Sequence, residues 1–255
     1  MFISNAIGGR AMDFAFLKIV EKEKSIELVL NRPEALNALN IPMLKEIQSA
    51  LRELTRARQD IVVFRGEGKA FCVGADLKER RQGWSFETYF LERVLTMQQI
   101  GALLRDTEKI VVAVLHGHVI GAGVLLSLYA DLRLAADDTV FRLPEIDVGS
   151  TMLGGGYRTL VETIGAARAK ELLLLGEAID SGEAERLSLI HRKVPREKLE
   201  ETLQAYVEKL SRKPAYTLKL IKKGMVHASD HGFNEMLLRE ALDAALNHSS
   251  LSSQK

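Results

Sequence analysis

Two glycine-containing stretches of similar composition could bring main-chain N–H groups close to a ligand. They are FCVGADL at 71–77 and VIGAGVL at 119–125, and each follows an apolar run typical of a buried strand. Because glycine has no Cβ, the backbone at such turns can approach an oxygen that carries negative charge. The N–H groups of Ala75 and Ala122 could therefore form an oxyanion hole, although this glycine spacing by itself is also typical of an ordinary structural turn.

Side chains that could act as an acid or a base are scarce around these turns. The helix that should follow the second glycine pair has Leu125 in its first turn and no ionisable residue there. Glu145 follows a proline in an otherwise apolar segment, which favours a functional carboxylate over a solvated one. His116 and His118 have no acidic partner nearby in the sequence, so we interpret both as structural. Glu145 is thus the candidate base.

Hydrophobic patterning gives the elements that must position these residues. Alternating and continuous apolar runs predict a hairpin and two buried strands, at 17–20, 25–30, 61–66 and 109–117. Helical spacing is found at 41–57, 85–105, 158–176, 180–187, 196–211, 214–228 and 233–247. Strand signals fade after the first two thirds of the chain, and Asp131 and Arg133 are interpreted as a structural ion pair.

This order of elements predicts an α/β core with a helical C-terminal appendage. We divide the chain into a loose N-terminal extension at 1–13, the α/β core at 14–195, and a helical C-terminal region with a frayed tail at 196–255.

The composition of the chain limits the kinds of partner that the protein is expected to bind. The 255 residues include 35 Lys and Arg against 34 Asp and Glu, and the net charge of +1 gives no broad field that would attract nucleic acid. Cys72 is the single cysteine, which excludes an intrachain disulfide and a cysteine-rich zinc site. No run of about 18 apolar residues and no export signal are visible, so we expect no membrane span and a cytoplasmic location.

The longer motifs resemble the enoyl-CoA hydratase/isomerase, or crotonase, family. The stretches that carry the resemblance are NRPEALNALN (31–40), GEGKAFCVGADLKE (66–79), GHVIGAGVLLSLYADLRLAADDTVFRLPEIDVG (117–149) and RTLVETIGAARAKELLLLGEAIDSGEAERLSLIHRKVP (158–195). The resemblance implies a crotonase-like α/β spiral of ββα units that assembles as a homotrimer or homohexamer. It also implies a coenzyme A thioester as the substrate, with coenzyme A as part of that substrate and neither a separate cofactor nor a metal.

The resemblance also assigns roles to residues. In the family, main-chain N–H groups at the positions of Ala75 and Ala122 hold the thioester oxygen. Coenzyme A and the acyl chain would contact residues of both glycine stretches and of the segment at 31–40. These residues are Arg32, Ala35, Ala38, Asp76, Leu77 and Leu125, with Lys78 as a candidate contact of a phosphate group.

One departure from the family pattern decides which reaction we expect. Hydratases of the family use two glutamates, and this chain has Glu145 at the second position but Leu125 at the first. A single base beside an oxyanion hole suffices to shift a 3-enoyl-CoA double bond to the 2-position, which is the reaction that we expect. The alternatives are hydration by Glu145 alone, decarboxylation or thioester hydrolysis with Lys78, Tyr89 or His231 as a polar aid, and acyl-CoA binding without catalysis.

Overall fold

The computed structural model describes residues 6–80, 85, 88–230, 243 and 246, with side chains except at 80 and 88–90. The predicted helix at 233–247 and the frayed tail lie outside the described residues, apart from the helical positions 243 and 246.

Among the described residues the strands form a main sheet, a smaller three-stranded sheet and a two-stranded pair of β1 with β2. In chain order they are β1 (Ala6–Ile7), β2 (Arg10–Ala11), β3 (Leu17–Glu21), β4 (Ile26–Leu30), β5 (Ile61–Gly66), β6 (Ile110–Leu115), β7 (His118–Ile120), β8 (Leu132–Ala136), β9 (Val140–Arg142), β10 (Ala178–Asp180) and β11 (Arg192–Val194). In the part of the chain that the structure describes, the main sheet has the order β11–β8–β6–β5–β4–β3 and is parallel except for the β3–β4 hairpin. The smaller sheet has the order β10–β9–β7.

Helices connect the strands and cover both faces of the main sheet. They are α1 (Ile41–Glu53), α2 (Leu77–Arg80), α3 (Leu95–Asp106), α4 (Ala122–Leu128), α5 (Gly156–Ile164), α6 (Ala166–Leu175), α7 (Ser181–Arg186), α8 (Leu199–Ser211) and α9 (Ala215–Asp230). A π-helical segment, Thr88–Val94, leads directly into α3. None of the described helices is long and apolar enough to cross a membrane.

The core explains why β5 is a continuous apolar run. Val62 and Phe64 point into the main hydrophobic cluster, whereas Ile61 and Val63 belong to a second cluster on the opposite face. That second cluster is closed by α8, where Leu203 is fully buried. Because successive side chains of a strand face opposite sides, a strand buried on both faces needs apolar residues throughout. Helix α8 of the C-terminal region therefore covers the outer face of the sheet.

The predicted α/β architecture and its hairpin are confirmed, and several local predictions need correction. The predicted helix at 158–176 is two helices, because Gly165 has a positive φ of 78° and separates α5 from α6. Strands do not end with the first two thirds of the chain, since β10 and β11 extend the two sheets. Each of these strands has three residues, too few to show a period in the sequence.

Two further predictions, one about the N-terminal segment and one about an ion pair, also need correction. Of the predicted loose extension at 1–13, the structure describes residues 6–13; there β1 pairs with β2, and Ile7 is fully buried in the core. The predicted ion pair of Asp131 with Arg133 is wrong. Asp131 instead binds Lys222 of α9 at 2.8 Å, and Arg133 donates from Nε to the carbonyl oxygen of Leu189 at 2.7 Å. Asp131 thus connects α9 to the start of β8, and Arg133 connects β8 to the loop that contains Leu189.

The covering role of α8 can be tested by truncating its buried leucine. We expect Leu203→Ala to lower the free energy of unfolding by about 2–5 kcal/mol, because it leaves a cavity between α8 and the sheet. Gln204→Ala, at the exposed neighbouring position of the same helix, should change it little. Denaturant unfolding of the two variants measures the difference, and equal effects would contradict the packing described here.

Candidate active site

Main-chain contacts hold the two glycine stretches directly against each other. The N–H of Ile120 donates to the carbonyl oxygen of Cys72 at 2.9 Å, and the N–H of Cys72 donates to that of His118 at 3.2 Å. Gly123 sits so close to this ladder that a Cβ on it would lie 2.3 Å from the Cys72 oxygen. Only a glycine permits this approach, so the second glycine of G-A-G locks α4 onto the preceding loop.

The residues that the sequence analysis assigned to the oxyanion hole flank this junction. A Cβ on Gly74, whose φ is 81°, would lie 3.2 Å from the nitrogen of Ala122, so the two turns are adjacent in space. Neither the N–H of Ala75 nor that of Ala122 donates a hydrogen bond to another described residue. Both residues line a single cavity of about 170 Å³. Two unpaired main-chain donors thus border the same cavity.

The cavity gathers half of the predicted site residues. Ala75, Leu77, Ala122, Leu125 and Glu145 all contribute to its wall. The remaining wall is mostly apolar, with one cationic side chain, and is formed by Leu39, Leu44, Val73, Gly74, Arg93, Met97, Ile120, Gly121, Pro144, Val148, Ser150, Thr151, Met152 and Leu153. Such a space, apolar with a few polar groups, is typical of a small-molecule site.

Glu145 is half-buried at the start of a short 3-10 turn, next to the second glycine stretch. Its Oε1 lies 3.0 Å from the position that a Cβ on Gly121 would take. Its Oε2 is buried and has no hydrogen-bond partner among the described residues. Burial raises the pKa of the Glu145 carboxyl above its ordinary value. A carboxylate in this setting is a stronger base than a solvated one.

The residues predicted to contact coenzyme A lie in the adjoining loops, where Arg32 and Asp76 interact with each other. Arg32 donates to Asp76 at 2.6 Å and to the carbonyl oxygen of Ala38 at 3.0 Å. Although burial raises it, the pKa of Asp76 is below its ordinary value because of Arg32 and the N–H groups of Glu79 and Lys78. The Lys78 side chain is exposed. This interaction joins the segment that contains Ala35 to the first glycine stretch.

Sequence reasoning missed two residues that shape the site. Asn37 has a φ of 56°, and its side-chain amide donates to the carbonyl oxygens of Ala70 and Phe71, which ties the segment at 31–40 to the loop before Cys72. Arg93 is buried and lines the cavity. The sequence did contain a signal for Arg93, because it lies four residues before Met97, which is on the buried face of α3. Residues four apart in a helix share a face.

Other reactive groups near the junction are structural. Burial raises the pKa of the Cys72 thiol to about 12, although the Gly74 N–H and Arg93 act in the opposite direction, so the thiol stays neutral. Burial lowers the pKa of His116, whose Nε2 lies 3.0 Å from the carbonyl oxygen of Gly68. Two polar groups considered for decarboxylation, His231 and the Tyr89 side chain, lie outside the described residues.

Comparison with known proteins identifies the family. The sequence profile described as enoyl-CoA hydratase/isomerase matches residues 21–254. A Mycobacterium bovis protein named "Probable enoyl-CoA hydratase echA8" is 33% identical over 225 residues, which cover 87% of this chain and 86% of that protein. The crystal structure of an enoyl-CoA hydratase from Bacillus anthracis has a TM-score of 0.86 at 28% identity and covers 90% of both chains.

A structure from Thermobifida fusca in complex with acetoacetyl-CoA has a TM-score of 0.85 at 27% identity and covers 92% of this chain and 96% of its own. The chain therefore belongs to the enoyl-CoA hydratase/isomerase, or crotonase, family and has its fold. It is an enzyme of the crotonase type that acts on acyl-CoA.

The close approach of α4 can be tested with two helical glycines. We expect Gly123→Ala to destabilise the protein by about 1–3 kcal/mol and to reduce activity, because the new Cβ pushes α4 away from the Cys72 carbonyl. Gly224→Ala in α9, where a Cβ meets open space, should stabilise the protein by about 0.5–1 kcal/mol. Denaturant unfolding checks both, and a neutral Gly123→Ala would refute the contact.

The burial of the Glu145 carboxyl should make the stability of the protein depend on pH. The folded protein holds the Glu145 proton more tightly than the unfolded chain, so stability falls as pH rises from the ordinary glutamate pKa through the raised one. At about pH 7 we expect Glu145→Gln to raise Tm by roughly 2–4 °C, whereas at about pH 4 the two proteins should melt together. Calorimetry at both pH values checks this, and a lower Tm at neutral pH would show a charge-stabilising partner.

Proposed function

We propose that the enzyme shifts the double bond of a 3-enoyl-CoA to the 2-position. The observation that supports this most directly is the cavity itself, which combines two main-chain N–H groups without partners among the described residues with one carboxylate. By the family resemblance, Leu125 in its wall stands at the position of the other glutamate of the hydratases. This reaction is more specific than the family membership, because the family includes both hydratases and isomerases.

The proposed mechanism moves one proton between two carbons. Glu145 removes a proton from C2 of the 3-enoyl thioester, and the electron pair moves onto the thioester oxygen to give a dienolate. The N–H groups of Ala75 and Ala122 serve as the oxyanion hole for that charge, an arrangement in which one donor is worth about 10²- to 10³-fold in rate. Glu145 then returns the proton to C4, which leaves the conjugated 2-enoyl thioester and the free carboxylate.

Leu125 favours proton transfer over addition of water. Its side chain is buried and lies in the wall of the same cavity as Glu145. A leucine offers no hydrogen bond to hold a water molecule, and it helps to keep the carboxylate poorly solvated and basic. Isomerisation needs no water, so this wall suits it.

Hydration by Glu145 alone is the second candidate, and one observation favours it. Relatives of this chain include proteins named as probable enoyl-CoA hydratases, among them the Mycobacterium bovis protein. In this reaction Glu145 would activate a water molecule by itself. Decarboxylation and thioester hydrolysis would use the same two N–H groups.

For coenzyme A we propose the loops next to the cavity. The pantetheine arm would pass along the segment with Arg32, Ala35 and Ala38, and the first glycine stretch would contribute Asp76 and Leu77. Lys78, exposed at the start of α2, would meet a phosphate group. No separate cofactor or metal takes part in the proposed reaction, and we propose that it occurs in the cytoplasm.

We also propose a homotrimer or homohexamer. Exposed apolar side chains on α5 and α6 support this: Tyr157 is 52% exposed, Leu174 68% and Leu175 57%. Apolar surface of this kind is typical of protein interfaces.

The reaction is tested by incubating the protein separately with a trans-3-enoyl-CoA and a trans-2-enoyl-CoA of the same medium chain length. We expect the 3-enoyl substrate to gain the absorbance of a conjugated thioester without a change in mass, and the 2-enoyl substrate to gain no water. A mass gain of one water molecule on the 2-enoyl substrate would favour the hydratase instead.

Glu145→Gln should lower kcat/KM by about 10²- to 10⁴-fold, the usual contribution of a general base. Asp147→Asn is the matched control, because Asp147 is an exposed acid two residues away that pairs with Arg142. In the wild-type enzyme, activity should fall as pH drops through the raised pKa of Glu145, since the protonated carboxyl cannot accept the proton. Equal activities of the two variants would exclude Glu145 as the base.

A further inference from the structure

A buried methionine packs against the leucine that lies beside the proposed base. Met152 and Leu125 are both buried, and both lie in the wall of the cavity that contains Glu145. A Cβ on Gly156, at the start of α5, would lie 2.7 Å from Cε of Met152 and 2.9 Å from Cδ1 of Leu125. The ends of the two side chains therefore meet in the space that a side chain at position 156 would take.

The contacts of α4 place the Leu125–Met152 pair next to the Glu145 carboxyl group. Oε1 of Glu145 lies 3.0 Å from the position that a Cβ on Gly121 would take. The N–H of Leu125 donates to the carbonyl oxygen of Gly121 at 3.2 Å, so Leu125 follows one helical turn later. Residues four apart in a helix share a face. The pair therefore forms the part of the wall that comes next to the carboxyl group along α4.

The segment that contains Met152 is held between two helices. The hydroxyl group of Tyr129, at the end of α4, donates to the carbonyl oxygen of Gly154. A Cβ on Gly101 of α3 would lie only 2.8 Å from that same oxygen, so α3 packs directly against it. These contacts fix the backbone two residues after Met152 and hold its side chain at the wall.

We propose that Met152 keeps water away from Glu145 and thereby makes the site select isomerisation over hydration. The proposal rests on the proposed function for the chemistry at Glu145. Both reactions use the same base and the same two N–H groups, so a water molecule beside the carboxylate decides between them. Such a water needs both room and polar partners, and the Leu125–Met152 pair provides neither on this side of the cavity.

Removal of the methionine side chain would give the same carboxylate a second reaction. In the hydration of a 2-enoyl thioester, Glu145 would take a proton from water while the water oxygen bonds to C3. The electron pair of the double bond would move toward the thioester oxygen, and Glu145 would then return the proton to C2. The product is a 3-hydroxyacyl thioester, heavier than the substrate by one water molecule.

The ratio of hydration to isomerisation tests the proposal. We would assay the full-length wild-type protein and Met152→Ala with a trans-2-enoyl-CoA and a trans-3-enoyl-CoA of the same medium chain length. We expect the ratio to rise at least about tenfold in Met152→Ala, part of the 10²- to 10⁴-fold that a general base provides once water reaches it. A purely structural role would lower both rates together, and an unchanged ratio would overturn the proposal.

Two matched variants serve as controls for this ratio. Met152→Leu retains an apolar side chain of similar volume and should keep the wild-type ratio. Met225→Ala removes an exposed methionine of α9, far from the cavity wall, and should change neither rate. A rise in Met152→Leu as large as that in Met152→Ala would contradict the exclusion of water by bulk.

Isomerisation in D₂O gives a second measurement. In the wild-type enzyme the proton removed from C2 should return largely to C4, because no water reaches the protonated Glu145 to exchange it. In Met152→Ala, mass spectrometry of the product should show the share of deuterium at C4 raised at least about twofold. Complete labelling of C4 by the wild-type enzyme would mean that water already reaches the carboxyl group, and the proposal would fail.

If Met152→Ala does not fold, Met152→Gln decides the question, because its amide has a similar length but can hold a water molecule. The two proposals fail in distinguishable ways. Wild-type isomerisation with no gain of hydration or of deuterium in the variants would refute the role of Met152 and leave the proposed function intact. A faster hydration by Met152→Ala than by the wild-type protein, without isomerisation of any 3-enoyl-CoA by either, would do the reverse.

Discussion

The site depends on the close approach of two stretches of main chain. The carbonyl oxygen of Cys72 accepts the N–H of Ile120, and Gly123 packs against that oxygen at a distance that a Cβ would not allow. This contact fixes where α4 begins and thereby where Ala122 stands relative to Ala75. A pair of main-chain donors is as rigid as the elements that contain it, and the proposed oxyanion hole requires such rigidity. The parallel strands β5 and β6 supply it, because each leads into one of the two stretches.

The cavity beside this junction places charged groups in a mostly apolar wall. Glu145 has a buried oxygen without a partner, and burial raises the pKa of its carboxyl. A buried polar atom without a partner lowers stability, and in the proposed function this carboxylate is the base. Arg93 adds a cation to the same wall. The Arg32–Asp76 ion pair holds the neighbouring loops together.

Family membership and reaction rest on different features of the chain. The fold is shared with solved structures of enoyl-CoA hydratases, and the matching relatives are named as enoyl-CoA hydratase or as enoyl-CoA hydratase/isomerase. In the proposed function, the choice between these reactions depends on a few side chains around the cavity, above all Leu125 and Glu145. Function on this fold is therefore a property of the site, and the fold supplies the frame.

The sequence by itself determined the elements with strong local signals and predicted candidate site residues that the structure brings together. Period-two and continuous apolar runs predicted the β3–β4 hairpin, β5 and β6, and the motifs pointed to Ala75, Ala122 and Glu145, all of which line one cavity. Three-residue strands such as β11 gave no period, because their pairing is decided by distant strands. Only the tertiary structure showed that Asp131 binds Lys222, ninety-one positions away, and that Arg93 reaches the cavity. These contacts join residues that lie far apart in the chain. The spacing of residues within a local segment does not reveal which distant side chains the folded protein brings together.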